Sequence, residues 1–456
     1  MGVTGTLASL IVGTSYEAIP PKVVGVAKDV ILDGVGVTLA GSREPLASPI
    51  IEYIQEMGGT PQCSVAGWGS KSSPLMAAFA NGVFCHALDF EVMWHPATHP
   101  TSPTLPALLA MAEVRGSSGR EVIEALVAGF EVQARLRLAS GSVPVLFHPP
   151  GVVGPLGSAA ACARLLGLDV ERTRMALGMA ASRAGSLAAN IGSMTKSTHC
   201  GNAARMGLEA ALLAEKGFTA NEDVIEAYQG FAECFMAPDR DLEAVVRGFG
   251  DPYRMVEPGL AFKKYPCQYG THRGVDAALE LRRKHHLRPQ EIEDVQIRVP
   301  PMDYVVRPFP ATGLEGKFSF QYTVAAALLD GQVVIESFTD GRRFAPDMEE
   351  LLPRIRVVQD PAIPANFEGM WTEVTVRTSG GRELAERCDR PRGIWGSPLS
   401  HDELLAKFRN CAGRVLFRPE VDRCAKLLEG LERLPDVRGL MDLVRARVPP
   451  GRPEVR

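Results

Sequence analysis

The chain contains no Cys-x-x-Cys pair among its 456 residues, which excludes a zinc ribbon, a dithiol redox motif and a conventional iron–sulfur site. Its nine cysteines are scattered and odd in number, the pattern of reduced, mostly buried thiols. No apolar run reaches the ~18 residues of a membrane span. The first fifteen residues carry only a short apolar piece, Leu7 to Val12, without a basic flank, so no signal peptide or anchor is expected and the expected compartment is cytoplasmic. An excess of positive charge is missing too: 49 Lys and Arg against 53 Asp and Glu leave a net charge of −4, which argues against nucleic acid as a partner. Gly-x-Gly-x-x-Gly after a strand, a phosphate loop, a Gly-x-Ser-x-Gly elbow and His-Glu-x-x-His are all lacking. Nucleotide cofactors and serine-hydrolase chemistry are therefore unsupported.

What is present is an ordinary globular composition, 46% hydrophobic and 22% charged, long enough for two large domains. Up to about residue 265 the pattern is helical and rich in Ala and Gly. Ser73-Pro74 predicts a helix start, with the Ser as cap and Pro in the first turn. Ser118-Gly119-Arg120-Glu121 is a capping box for a long helix ending near Ser140. Further helices are expected over Pro155 to Leu166, Val170 to Arg183 and Asn202 to Lys216, the last with small residues that permit close packing. Strand signals begin only after about residue 290, at Ile292 to Val299, Arg354 to Val358, and a hairpin of Val374 to Thr378 with Glu383 to Cys388. Helices at Thr271 to Lys284 and Phe320 to Leu329 lie among them. Helical patterning resumes with the capping box Ser400-His401-Asp402-Glu403, then Leu404 to Ala412, Val421 to Leu434 and Val437 to Arg447. The expected fold is mainly α with α+β. A large helical domain comes from both chain ends, residues 1–265 and 400–456, and a smaller α/β lid domain, residues 266–399, is inserted between them. A cleft at such a junction is the expected place for a small-molecule site.

Four segments could carry chemistry. In Cys85-His86-Ala87-Leu88-Asp89-Phe90-Glu91-Val92-Met93-Trp94-His95-Pro96-Ala97-Thr98-His99-Pro100, a helix ends at an acid and two histidines follow in a loop broken by prolines. Asp89, His95 and His99 could bind a metal, or the histidines could simply pin the loop; acid/base work is favoured, because imidazole titrates near neutrality. Ser193 to Asn202 places Lys196 immediately before the Ala-rich helix, where a carboxylate could bind, although helix capping by Thr198 or Asn202 accounts equally well for the polar residues. Phe262 to His272 sets Lys263 and Lys264 between aromatics, either a solvated pair or a cation turned into the cleft. Arg307 and Tyr322 supply a guanidinium and a phenol, or an exposed charge and a core ring. Together these groups suit a small anionic carboxylate substrate whose α-proton is removed while cations hold the developing charge.

At these residues the chain resembles the MmgE/PrpD family, which includes 2-methylcitrate dehydratase, cis-aconitate decarboxylase and iminodisuccinate epimerase. The resemblance runs nearly end to end. It rests on Ala77 to Pro100 with His-x-x-Asp-Phe and His-Pro-Ala-Thr-His-Pro, on Phe147-His148-Pro149-Pro150 with Val152-Val153-Gly154, on Thr195-Lys196 to Gly207, on Phe262-Lys263 to His272, and on Arg307-Pro308-Phe309-Pro310 with Ser319-Phe320-Gln321-Tyr322. The decarboxylase branch looks nearest. The resemblance implies a homodimer with no cofactor and no metal, and catalytic roles for Asp89, His99, Lys196, Lys263 and Tyr322. Met93, His95, His199, Gln268 and Arg307 are the expected substrate-binding residues. Two positions depart from the family: Met93 replaces a threonine and Gln268 a histidine. Met93 cannot donate a hydrogen bond and Gln268 cannot transfer a proton at neutral pH. Losing an ionisable histidine weakens dehydration and decarboxylation more than epimerisation. The expected activity is therefore proton transfer α to a carboxylate, an epimerase of the iminodisuccinate kind, with a lyase of the same family as the alternative and a non-catalytic carboxylate-binding protein as a second.

Overall fold

A computed structural model describes residues 2–142 and 146–446. The chain is mainly α-helical and divides into two compact units, one comprising residues up to Ala261 together with those from Ser400 onward, the other Phe262–Leu399.

The first unit holds α1 (Val3–Gly13), α2 (Pro21–Gly41), α3 (Ala47–Met57), α4 (Pro74–Ala87), α5 (Thr101–Arg115), α6 (Gly119–Ala139), α7 (Pro149–Leu165), α8 (Val170–Ala181) and α9 (Thr195–Glu215). Prolines occupy the first turns of α2, α4 and α7, where a missing N–H costs nothing. The capping box expected at Ser118 is formed, and α6 ends with Ser140 as its C-cap. Ser73, by contrast, makes no side-chain cap bond. Two starts lie earlier than the pattern suggests. α7 begins at Pro149, carrying Pro155 in its interior, and α9 begins at Thr195. Lys196 and His199 are therefore inside the first turns of α9 rather than before it. A two-residue antiparallel ribbon, β1 (Cys63–Ser64) with β2 (Lys71–Ser72), is too short for its alternation to register in the sequence.

The second unit is built on a four-stranded mixed sheet of β3 (Ile292–Val299), β4 (Ile355–Gln359), β5 (Thr372–Thr378) and β6 (Glu383–Cys388), in the order β4-β3-β5-β6. β3 pairs parallel with β4 and antiparallel with β5, and β5–β6 is the expected hairpin. Helices α10 (His272–His285) and α11 (Phe320–Asp330) pack on this sheet. Val275, Leu281, Val324 and Leu328 meet Val295, Ile297, Val374 and Val376 in one apolar core. The chain then returns to the first unit with α12 (His401–Ala412), α13 (Arg418–Glu429) and α14 (Arg438–Arg445). Arg447, the expected end of the last helix, lies outside the described residues. Among the described residues no helix is long and apolar enough to cross a membrane.

Two glycine contacts in the first unit place everything that follows. A Cβ on Gly82 of α4 would sit 2.8 Å from the Gly201 Cα of α9, and one on Gly201 would sit 2.5 Å from the Phe79 carbonyl oxygen. The two helix backbones therefore touch. One turn beyond the crossing on α4 is His86, and about one turn before it on α9 is Lys196. Gly201→Val is expected to lower stability by about 1–3 kcal/mol through overpacking, read as a shifted chemical-denaturation midpoint; an unchanged midpoint would refute the close crossing.

Candidate active site

The end of α4 and the start of α9 bring five ionisable side chains into a closed ring. The His86 Nδ1 hydrogen-bonds Glu91 Oε1, and its Nε2 lies 2.8 Å from Lys196 Nζ. Lys196 Nζ also donates to Asp89 Oδ1 at 3.1 Å. His99 completes the circuit, its Nε2 3.4 Å from Asp89 Oδ1 and its Nδ1 3.5 Å from Glu91 Oε1. Ser102 Oγ donates to the same Glu91 oxygen at 2.9 Å. Asp89 holds its place through a left-handed backbone, φ 51°, a conformation that Asp tolerates better than most residues.

Burial determines the charges. The side chains of His86 and Glu91 are wholly buried and those of Asp89 and Lys196 are 5% and 8% exposed, whereas His99 is 15% exposed. Desolvation pulls His86 below its ordinary range even though Glu91 opposes that. Burial works against the Glu91 charge, but the His86 and His99 imidazoles outweigh it and hold the carboxyl well below the usual carboxylate range. These directions agree with one arrangement: an ionised Glu91 accepts from a neutral His86, whose free nitrogen accepts from the Lys196 ammonium. A proton on His99 would lie between two carboxylates.

More imidazoles adjoin the ring. His148 packs 5.3 Å from His86 and 5.3 Å from His199, centroid to centroid, with its Nδ1 3.2 Å from His199 Nδ1. Burial lowers His148 well below the ordinary value and brings His199 down to about 4. Buried Cys200 is pushed up by desolvation and stays a thiol. Ligand-type atoms of His86, Asp89, Glu91 and His99 lie within 4.8 Å of one another, as do those of His86, His148 and Cys200. In the first group, however, Lys196 already supplies a cation to His86 and Asp89. His95 belongs to neither group, so the metal triad Asp89, His95 and His99 is not assembled.

The structure thus joins Asp89, His99, Lys196 and His199 and adds His86, Glu91 and His148, to which the sequence reading assigned no role. His86 was legible as a lone imidazole inside an otherwise apolar helix end. Met93 is buried, its backbone paired with Ala261. The remaining expected residues lie in the second unit. Lys263 is buried and donates to the Cys267 carbonyl oxygen at 3.1 Å. Tyr322 is a core ring whose hydroxyl donates to the Ser337 carbonyl. Gln268 accepts from the Gly270 N–H and donates to the Tyr304 hydroxyl, and Arg307 pairs with Glu315 at 3.0 Å.

Known families decide the lineage. Residues 5–243 match the model of the MmgE/PrpD N-terminal domain and residues 265–433 that of the MmgE/PrpD C-terminal domain. The chain belongs to the MmgE/PrpD family. Within that family it is 35% identical to the cis-aconitate decarboxylase of Mus musculus, covering 97% of this chain and 93% of that protein. It is 34% identical to the cis-aconitate decarboxylase of Homo sapiens, covering 98% and 95%. The 2-methylcitrate dehydratase of Cupriavidus necator is 25% identical over 88% of each chain. These MmgE/PrpD relatives carry lyase names, and the active-site ring lies within the N-terminal match.

The imidazoles also set a pH dependence. His86, His148 and His199 have folded-state values below the ordinary ~6.5, so the unfolded chain takes up protons first on acidification. Their contribution to stability is intact above about pH 6.5 and is lost as pH falls toward 4. The melting temperature is expected to drop between pH 7 and pH 5, and to drop less in His148→Gln; a flat profile would refute the buried neutral imidazoles.

Proposed function

We propose that the chain is a lyase that decarboxylates cis-aconitate. The observation that carries this reading is the ring itself: His99, its most exposed member, touches both carboxylates of a buried, cation-centred proton network. The similarity to two mammalian cis-aconitate decarboxylases over nearly the whole chain supports the same choice. Loss of carbon dioxide from the substrate's CH2–COO⁻ arm breaks one carbon–carbon bond and leaves its electron pair in an allylic carbanion. Conjugation spreads that charge onto a remaining carboxylate, and one proton delivered to the far carbon gives itaconate. The step needs a cation near the developing charge and an aimed acid. Lys196 is the candidate cation and His99 the candidate acid, its proton replenished across Asp89 or Glu91. Lys263 and Tyr322 enter through the family resemblance, as a second cation and a phenol.

The preference for epimerisation rested on Gln268 replacing a histidine. His99, bracketed by Asp89 and Glu91, offers the ionisable imidazole that Gln268 does not, so that objection to a lyase loses its force. The relatives are named decarboxylases and dehydratases, which favours the lyase alternative further.

Incubation with cis-aconitate in deuterated water is expected to release carbon dioxide and yield itaconate carrying one solvent deuteron. His99→Gln should slow this by about 10²-fold or more with the fold intact. Exchange of carbon-bound hydrogen without bond loss, or water addition and loss alone, would overturn the decarboxylase reading.

A further inference from the structure

Near the ring lies another buried ion pair, close enough for Asp33 to feel the charge of Glu91. Lys407 of α12 meets Asp33 of α2 at 2.7 Å, with side chains 8% and 0% exposed. The same ammonium donates to the Phe90 carbonyl oxygen at 2.7 Å and stands 3.8 Å from the centroid of the Phe90 ring. Phe90 is the residue between Asp89 and Glu91, the two carboxylates of the ring. Glycine again permits the approach: a Cβ on Gly36 of α2, one turn after Asp33, would come within 3.0 Å of Phe408, the neighbour of Lys407.

We infer that Lys407 and Asp33 are positioning residues, an ion pair whose work is to clamp Phe90 so that Asp89 and Glu91 face His99 and Lys196 together. A pair so deeply buried adds little net stability, since desolvation offsets its attraction. Its geometric effect is specific. Asp89 occupies a left-handed backbone position, and the next carbonyl along is gripped by the ammonium, which fixes the peptide plane that carries the two carboxylates apart. Asp33 serves as the counter-charge that lets the ammonium stay there. The clamp joins two distant parts of the chain: Asp33 precedes Phe90 by some sixty residues and Lys407 follows it by 317.

This inference rests on the decarboxylase reading only for its kinetic arm. Lys407→Met is expected to lower kcat on cis-aconitate about 10- to 100-fold, because small misplacements of reacting groups cost that much, while KM stays within about threefold. It also leaves Asp33 unpaired and lowers the melting temperature. The double variant Asp33→Asn/Lys407→Met removes both charges and is expected to restore the melting temperature without restoring kcat. Spectra of ¹⁵N-histidine-labelled resting protein form the second arm and need no substrate: the resonances of His86 and His99, assigned by His86→Gln and His99→Gln, should shift in the double variant. A double variant with wild-type stability, kcat and histidine resonances would overturn the inference. If it does not fold, Asp33→Asn alone faces the same two readouts with the same deciding outcomes. Absence of turnover in the wild type would refute the decarboxylase reading and leave the positioning claim to the histidine spectra.

Discussion

Lys196 is a cation almost wholly withdrawn from water, its side chain 8% exposed, and the first unit is arranged around that fact. An ammonium buried without partners would lose its proton or unfold its surroundings. Here it is satisfied by an imidazole at the end of the neighbouring helix and a carboxylate two residues beyond that helix. Those partners can come so near only because α4 and α9 cross with glycine against glycine. A methyl group on either glycine would overlap the facing backbone, so the helices would have to move apart. The small-residue face is therefore a requirement of the electrostatics as much as of the packing.

The ring has a consequence for chemistry. In a chain of buried donors and acceptors each group is polarised by the next, and moving one proton changes the preferred position of the others. His99 is bracketed by two carboxylates, one of which also accepts from the Lys196 ammonium, so a proton moving at His99 is felt by all three. The neutral His86 is the bridge that makes this possible. It passes the influence of Glu91 to Lys196 while carrying no charge itself, so the ring holds two anions without collecting excess positive charge in a desolvated space.

Much of the fold was legible because its signals are local. Capping boxes at Ser118 and Ser400, prolines in first turns and the alternation of β3 depend on residues within four or five positions. The early start of α9 was not legible, because Ser193 to Thr198 reads as a polar loop and its helical state is imposed by packing of the residues behind it. The site divides the same way. Asp89, His99 and Lys196 stood out as charged residues in apolar or proline-rich surroundings, and family resemblance pointed to them as well. Glu91 and His86 were read only as members of the segment Cys85 to Pro100, since Glu91 gains its meaning from the fold of that segment onto His86 and His99, and His86 from a contact with a helix more than a hundred residues away. Asp33 and Lys407, some 370 residues apart, left no mark in the sequence, because each is one of several charges in its own helix.

The two departures from the family pattern take on a different weight in this setting. A threonine replaced by Met93 removes a hydroxyl from a strand-like segment whose backbone is already paired with Ala261. A histidine replaced by Gln268 removes an imidazole, but the glutamine keeps two hydrogen bonds, to Gly270 and Tyr304, that hold a turn. Neither Met93 nor Gln268 is one of the five groups that close the ring. If proton transfer is the work of the ring, such replacements alter how a substrate is held more than whether a proton can move. Substrate choice and proton transfer are then carried by different parts of the chain, which is how one scaffold can keep its proton machinery while its members act on different polycarboxylates.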